Sequence, residues 1–90
     1  MAFNNMFDGF FLTEDQKEKI DLHDMQLDEA RYYLEKFLNA LSDNVKEITV
    51  VHGYRKGQVL LKMVRRDFFH PKIIKKVIPF NKGITIFYLK

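Results

Sequence analysis

Asp21 and His23 stand two residues apart, and His52-Gly53-Tyr54-Arg55-Lys56-Gly57 follows an apolar run about thirty residues later. In an extended chain, alternate side chains share a face, so Asp21 and His23 would point the same way. A carboxylate and an imidazole side by side can serve as base and acid, or can share a divalent cation such as Mg²⁺ or Mn²⁺. The bland alternative is a polar pair on the wet face of a sheet. In the second cluster, Gly53 and Gly57 let the backbone approach a bound oxygen closely. Arg55 and Lys56 add charge suited to a phosphate. The loop matches neither G-x-x-x-x-G-K-[ST] nor G-x-G-x-x-G, so no nucleotide cofactor is implied. Beyond it, Lys62, Arg65 and Arg66 recur at i, i+3 and i+4, opposite Leu60, Met63 and Val64. That spacing predicts a basic ridge able to track a sugar–phosphate backbone, although such a run is also the ordinary dress of a solvated face.

The elements that must position these residues follow from periodicity. Lys19 to His23 reads as a strand, with Ile20 and Leu22 inward and Asp21 and His23 outward. Residues 27–42 read as a helix whose inner face is Ala30, Leu34, Phe37, Leu38 and Leu41. Glu47 to His52 is a second, β-branched strand. Gln58 to His70 is a second helix, buried through Leu60, Met63, Val64 and Phe68 and stopped by Pro71. His70, at its end, would complement the dipole there. Two more strands, Ile73 to Phe80 and Ile84 to Leu89, are joined by Asn81-Lys82-Gly83, with Gly83 suited to positive φ. The order β-α-β-α-β-β contains one crossover, so the first two strands run parallel with a right-handed connection. The fold class is α+β: a two-layer sandwich with a mixed four-stranded sheet and two helices on one face. Parallel strands end on one edge, which brings Asp21 and His23 beside the Gly53–Gly57 loop, where ligands of such units bind.

Ninety residues make one domain. There is no cysteine, which removes disulfides, thiolate zinc sites and cysteine nucleophiles, and fits a reducing, cytoplasmic setting. No apolar run approaches membrane-spanning length. MAFNNMFDGF lacks the basic start and clean apolar stretch of a signal peptide. The net charge is +3, and its distribution is lopsided: from Tyr54 to Lys90 there is one acid, Asp67, against ten Lys or Arg residues. Residues 1–18 form an aromatic arm, with Phe3, Phe7, Phe10 and Phe11; Thr13 and Gln16 could cap a short helical turn through Glu18. The arm either lies on the surface of the 19–90 domain or docks a partner.

I-D-L-H at 20–23, L-D-E-A at 27–30, H-G at 52–53 and the basic second helix together resemble the Smr (small MutS-related) domain, over about residues 19–89. The chain is similar to a short, standalone Smr protein. The resemblance implies a fold similar to the C-terminal domain of translation initiation factor three. It also implies a nucleic-acid module: members of the family nick or cleave DNA, cleave RNA, or act on mRNA at stalled ribosomes. By position, Asp21 and His23 fall on the family's cleavage motif, and His52, Gly53 and Gly57 on its substrate loop, H-G-x-G-x-G. Three positions depart from the pattern: Asp24 replaces a glycine, Gln26 a capping threonine, and Arg55 the middle glycine of the loop.

These readings support an endonuclease that cleaves RNA or nicks DNA, in mRNA and ribosome quality control or in DNA repair and recombination. Asp21 and His23 would be catalytic. His52, Gly53, Arg55, Lys56, Gly57, Lys62, Arg65 and Arg66 would bind the strand. Any Mg²⁺ or Mn²⁺ would sit at Asp21 and His23. The alternatives are a non-catalytic module that binds nucleic acid or the ribosome, and a protein-interaction domain working through the arm. The expected partner is RNA or DNA, with no membrane, and the chain itself a monomer or weak dimer.

Overall fold

A computed structural model of the protein describes residues 17–55 and 57–90. The expectations for the aromatic arm up to residue 16, and for Lys56, lie outside the described residues. Strand β1 (Lys17–Asp21) leads through helix α1 (Leu27–Ala40) to strand β2 (Glu47–Val51). Helix α2 follows, beginning as Val59–Lys62 and widening into a π-turn at Met63–Asp67. Strands β3 (Ile73–Val77) and β4 (Ile84–Leu89) complete one sheet in the order β1-β2-β4-β3. β1 and β2 are parallel, as the crossover rule requires, and β4 runs antiparallel to both β2 and β3. Among the described residues, no helix is long and apolar enough to cross a membrane.

The core lies between the helices and one sheet face. Ile20, Leu22, Ile48, Val50, Phe87 and Leu89 point up from the sheet, and Ala30, Leu34, Leu38, Met63 and Val64 point down. Period two in the strands and 3.6 in α1 account for this set. Gln26 makes no side-chain cap bond at the start of α1, so Asp28 and Glu29 in the first turn complement the dipole instead. At its other end α1 stops at Ala40, two residues before the expected limit, because Leu41 turns extended. Lys72 closes that end, its Nζ donating to Leu38 O at 2.7 Å.

Other boundaries differ from expectation: β1 and β2 end at Asp21 and Val51 rather than at His23 and His52, and three further ends move. Lys17 and Glu18 pair with Glu47 and Ile48, so the strand begins where a helical turn was expected. Helix α2 ends at Asp67 rather than His70: the Phe68 N–H reaches back to Met63 O at 2.8 Å, and Phe68 itself is extended. Lys76 makes this early stop affordable, since its Nζ donates to Val64 O at 2.8 Å and Phe68 O at 2.6 Å. Strand β3 stops at Val77, not Phe80, because Pro79 has no N–H for the ladder. The connection to β4 is therefore the longer loop 78–83. Gly83 does not adopt positive φ; the described glycines that do are Gly53 and Gly57. Instead the Gly83 N–H is held by Asn81 Oδ1 at 2.8 Å, a side-chain turn that any residue type's backbone could make.

Candidate functional site

β1 and β2 end on the same edge, and the side chains beyond them line a cleft of about 690 Å³ together with the 78–83 loop. Asp21, His23, Gly53, Arg55, Gly57 and Asn81 all line it. The predicted meeting of the two clusters is thus realised. Asp21 and His23 are about half exposed. Asp21 Oδ1 accepts the His23 backbone N–H at 3.0 Å and pairs with His23 Nδ1 at 2.5 Å. A carboxylate can only accept here, so the imidazole presents Nδ1–H to it. The side-chain bond from His23, then its backbone N–H, hold the Asp21 carboxyl below the usual carboxylate range. His23 Nε2 lies 3.6 Å from Asp24 Oδ2.

The departures from the family pattern find a backbone explanation. Asp24 has φ of 68°, the left-handed conformation for which glycine is the default and aspartate a tolerated substitute. Gly53 and Gly57 have φ of 74° and 111°, so both are held by conformational need. A Cβ at Gly57 would meet nothing within 4 Å, while one at Gly53 would lie 3.5 Å from His23 Cβ. Arg55 does not have positive φ. Its place in the loop makes no demand for glycine, and its side chain lines the cleft.

His52 and Arg65 need reassignment. Both were expected to contact a bound strand, His52 in the loop and Arg65 on the ridge with Lys62 and Arg66. His52 is only 3% exposed. Its Nδ1 lies 2.8 Å from Gly53 O, and its Nε2 lies 2.9 Å from Thr85 Oγ1. Arg65 turns inward, donating from Nε to the same Thr85 Oγ1 at 2.8 Å and from Nη2 to Ile84 O at 2.9 Å. With a neutral imidazole, which burial favours, the direction of this chain follows. Arginine only donates and a carbonyl only accepts. The proton order is therefore Arg65 to Thr85, Thr85 to His52 Nε2, and His52 Nδ1–H to Gly53 O. That order requires a neutral imidazole. Burial pushes the His52 pKa below the ordinary value, opposed by the Gly53 bond and reinforced by the Arg65 charge. His52 and Arg65 thus orient the loop from beneath rather than touching what binds above it. Lys62 and Arg66 remain exposed, so the ridge has two members on this helix, not three.

Thr85 is the residue that pattern reasoning missed. It is fully buried at an inward position of β4, beside Phe87 and Leu89. A hydroxyl amid inward apolar residues was the available signal, because a buried polar group must find partners. His70 also differs from expectation. Its Nδ1 accepts the Lys72 N–H at 3.1 Å, so Nε2–H donates to Asn39 Oδ1 at 2.7 Å. It staples α1 to the segment after α2 as a neutral ring, and burial, then the nearby Lys72 charge, lower its pKa.

Among the described residues there is no group of three or more His, Asp or Glu side chains arranged to hold an ion. Asp21 Oδ1 and His23 Nδ1 are already committed to each other. These residues do not make an all-protein cage for Mg²⁺ or Mn²⁺.

Comparison with known proteins agrees with the geometry. The family model of the Smr domain matches residues 20–83. The crystal structure of the Smr domain of Thermus thermophilus MutS2 is similar in fold, with a TM-score of 0.64 over 81% of this chain and 98% of that one, at 18% identity. No curated protein matches the chain.

Proposed function

The chain belongs to the Smr domain family, and on that premise we propose that it is an endonuclease that cleaves RNA by transesterification at the Asp21–His23 pair. The observation that carries this reading is the short Asp21 Oδ1–His23 Nδ1 contact, in a cleft that Gly53, Arg55 and Gly57 also line. Asp21, ionised at neutral pH, fixes the imidazole so that proton exchange runs at Nε2. Arg55 and the backbone that the two glycines leave uncovered hold a phosphate. The strand's own 2′-oxygen attacks phosphorus and loses its proton to solvent. The bond from phosphorus to the 5′-oxygen breaks as His23 Nε2–H protonates that oxygen. The products are a 2′,3′-cyclic phosphate and a free 5′-hydroxyl. RNA is favoured over DNA because its internal nucleophile lets a lone Asp/His pair suffice.

The test is incubation of the purified protein with labelled single-stranded RNA, the same sequence as DNA, and duplex DNA, each in EDTA and in Mg²⁺. Cleavage of RNA in EDTA that leaves a cyclic phosphate is expected, with a loss of at least about 100-fold in Asp21→Asn and His23→Ala. Nicking of DNA only with Mg²⁺ would replace this mechanism. Binding without cleavage by wild type and variants alike would show a non-catalytic module.

A further inference from the structure

The 78–83 loop carries an aromatic side chain with no folding role. Phe80 is 105% exposed, and Ile78 before it 61% exposed. Single exposed apolar residues are common, so position must carry the argument. Two other exposed rings have companions: Lys36 Nζ sits over Tyr32, and Lys76 Nζ over Phe69. Among the described residues, Phe80 has no such contact. Its next neighbour, Asn81, lines the same cleft as Asp21 and His23. The loop is also firmly mounted there. Gly83 O accepts the N–H groups of His52 and Gly53 at 3.0 and 2.9 Å, and Pro79 restricts the backbone before Phe80. Tyr54, 43% exposed, lies against this loop: a Cβ on Gly83 would fall 3.6 Å from its ring. Tyr54 therefore lines the cleft and Phe80 stands on the loop whose Asn81 and Gly83 line it, each ring beside an exposed cation in the chain, Arg55 or Lys82.

We propose that Tyr54 and Phe80 are stacking platforms for unpaired nucleobases, so that the cleft takes a single strand and discriminates against duplex. The inference rests on the nucleic-acid reading above but not on cleavage. A duplex keeps its bases inside its own stack and offers only phosphates to such rims. A single strand offers both faces of each base beside a phosphate, which matches rings interleaved with cations. A protein-docking surface would instead gather its apolar residues into a contiguous patch free of charge. Here the cations lie within two residues of each ring.

The experiment is fluorescence anisotropy with a 12-nucleotide single strand and a hairpin duplex of the same composition, using the cleavage-silent Asp21→Asn chain as the parent. The single strand is expected to bind more tightly than the duplex. Phe80→Ala and Tyr54→Ala should each weaken single-strand binding by about five- to hundredfold and leave duplex binding within twofold. Phe80→Trp and Tyr54→Phe should restore it. Equal affinity for the two nucleic acids, or unchanged single-strand binding in both alanine variants, overturns the proposal. So does a shift in sedimentation mass on Phe80→Ala with strand binding intact, which would assign the loop to protein contact. Because the binding assay needs no turnover, absent cleavage by the wild type would count against the nuclease reading and leave this one standing.

Discussion

Two histidines sit at the ends of neighbouring parallel strands, His23 past β1 and His52 past β2, and their surroundings are opposite. His23 is half exposed and tied to a carboxylate two residues away. His52 is buried and tied to a hydroxyl thirty-three residues away. One ring can meet a ligand in the cleft; the other has both nitrogens engaged inside the protein. Residue type is the same but strand parity is not: His23 shares the outward face of Asp21, whereas His52 continues the buried face of Ile48 and Val50. The same contrast separates Arg65 from Arg66, one chain position apart: Arg65 anchors the sheet and Arg66 faces solvent.

The largest effect should come from erasing the exposed side of this comparison. Asp21→Asn should reduce RNA cleavage by about two to four orders of magnitude, with the urea midpoint nearly unchanged, since exposed substitutions usually stay within about 0.5 kcal/mol. A large loss of stability would show that Asp21 serves the fold.

Breaking the buried side should invert the pattern. Thr85→Val keeps the shape but strips the shared partner from His52 Nε2 and Arg65 Nε. Buried groups left unpaired cost about 1–3 kcal/mol, to be measured by urea unfolding, whereas Thr85→Ser should restore most of it. Arg65→Ala should lower stability comparably, while Arg66→Ala should not. In a strand-binding titration against salt, Arg66→Ala and Lys62→Ala should each reduce the slope of log K by about one.

A pH series sharpens the contrast further. His52 and His70 both have folded pKa values below the ordinary histidine value, so the unfolded chain takes up protons that the folded chain does not. Stability is then full above about pH 6.5 and declines as pH falls from there toward the folded values. Thermal midpoints should drop between pH 7 and pH 5, and His70→Gln should flatten part of that slope. A midpoint that rises on acidification would refute the neutral assignment of both rings.

The smallest change to detect is a single proton's place. Long-range ¹H–¹⁵N spectra should show His52 as the Nδ1–H tautomer and His70 as Nε2–H. The pair distinguishes the two hydrogen-bond chains without any mutation. An imidazolium signal for His52 at pH 7 would mean that Thr85 Oγ1 accepts from both His52 and Arg65.

Much of the architecture was legible without coordinates. Alternation along residues 19–23 placed Ile20 and Leu22 inside and Asp21 and His23 outside. The 3.6 spacing chose Ala30, Leu34 and Leu38. The crossover rule put β1 beside β2 and so brought Asp21 to the Gly53 loop. These features are encoded by neighbours a few residues apart, where geometry has one answer. Element ends were less legible, because they depend on donors from elsewhere: Lys72 for α1 and Lys76 for α2. Arg55 stood out in the sequence only as a departure from the loop pattern, and the dihedrals separate the glycines needed for φ from the position that is not.

What the sequence alone determined, then, is the sheet-edge meeting of an aspartate–histidine pair with a glycine-bounded cationic loop, since period and connection handedness are local rules. What only the tertiary structure decided is which of the like-looking residues face out. Arg65 and Arg66 differ by one helical step, and His52, which alternation places on the face of Ile48 and Val50, has the partners of both its ring nitrogens fixed only by the fold. That assignment rests on Thr85, twenty residues beyond Arg65, arriving beneath both through the pairing of β4 with β2. A hydrogen-bond chain assembled by strand pairing has no period to betray it in the sequence.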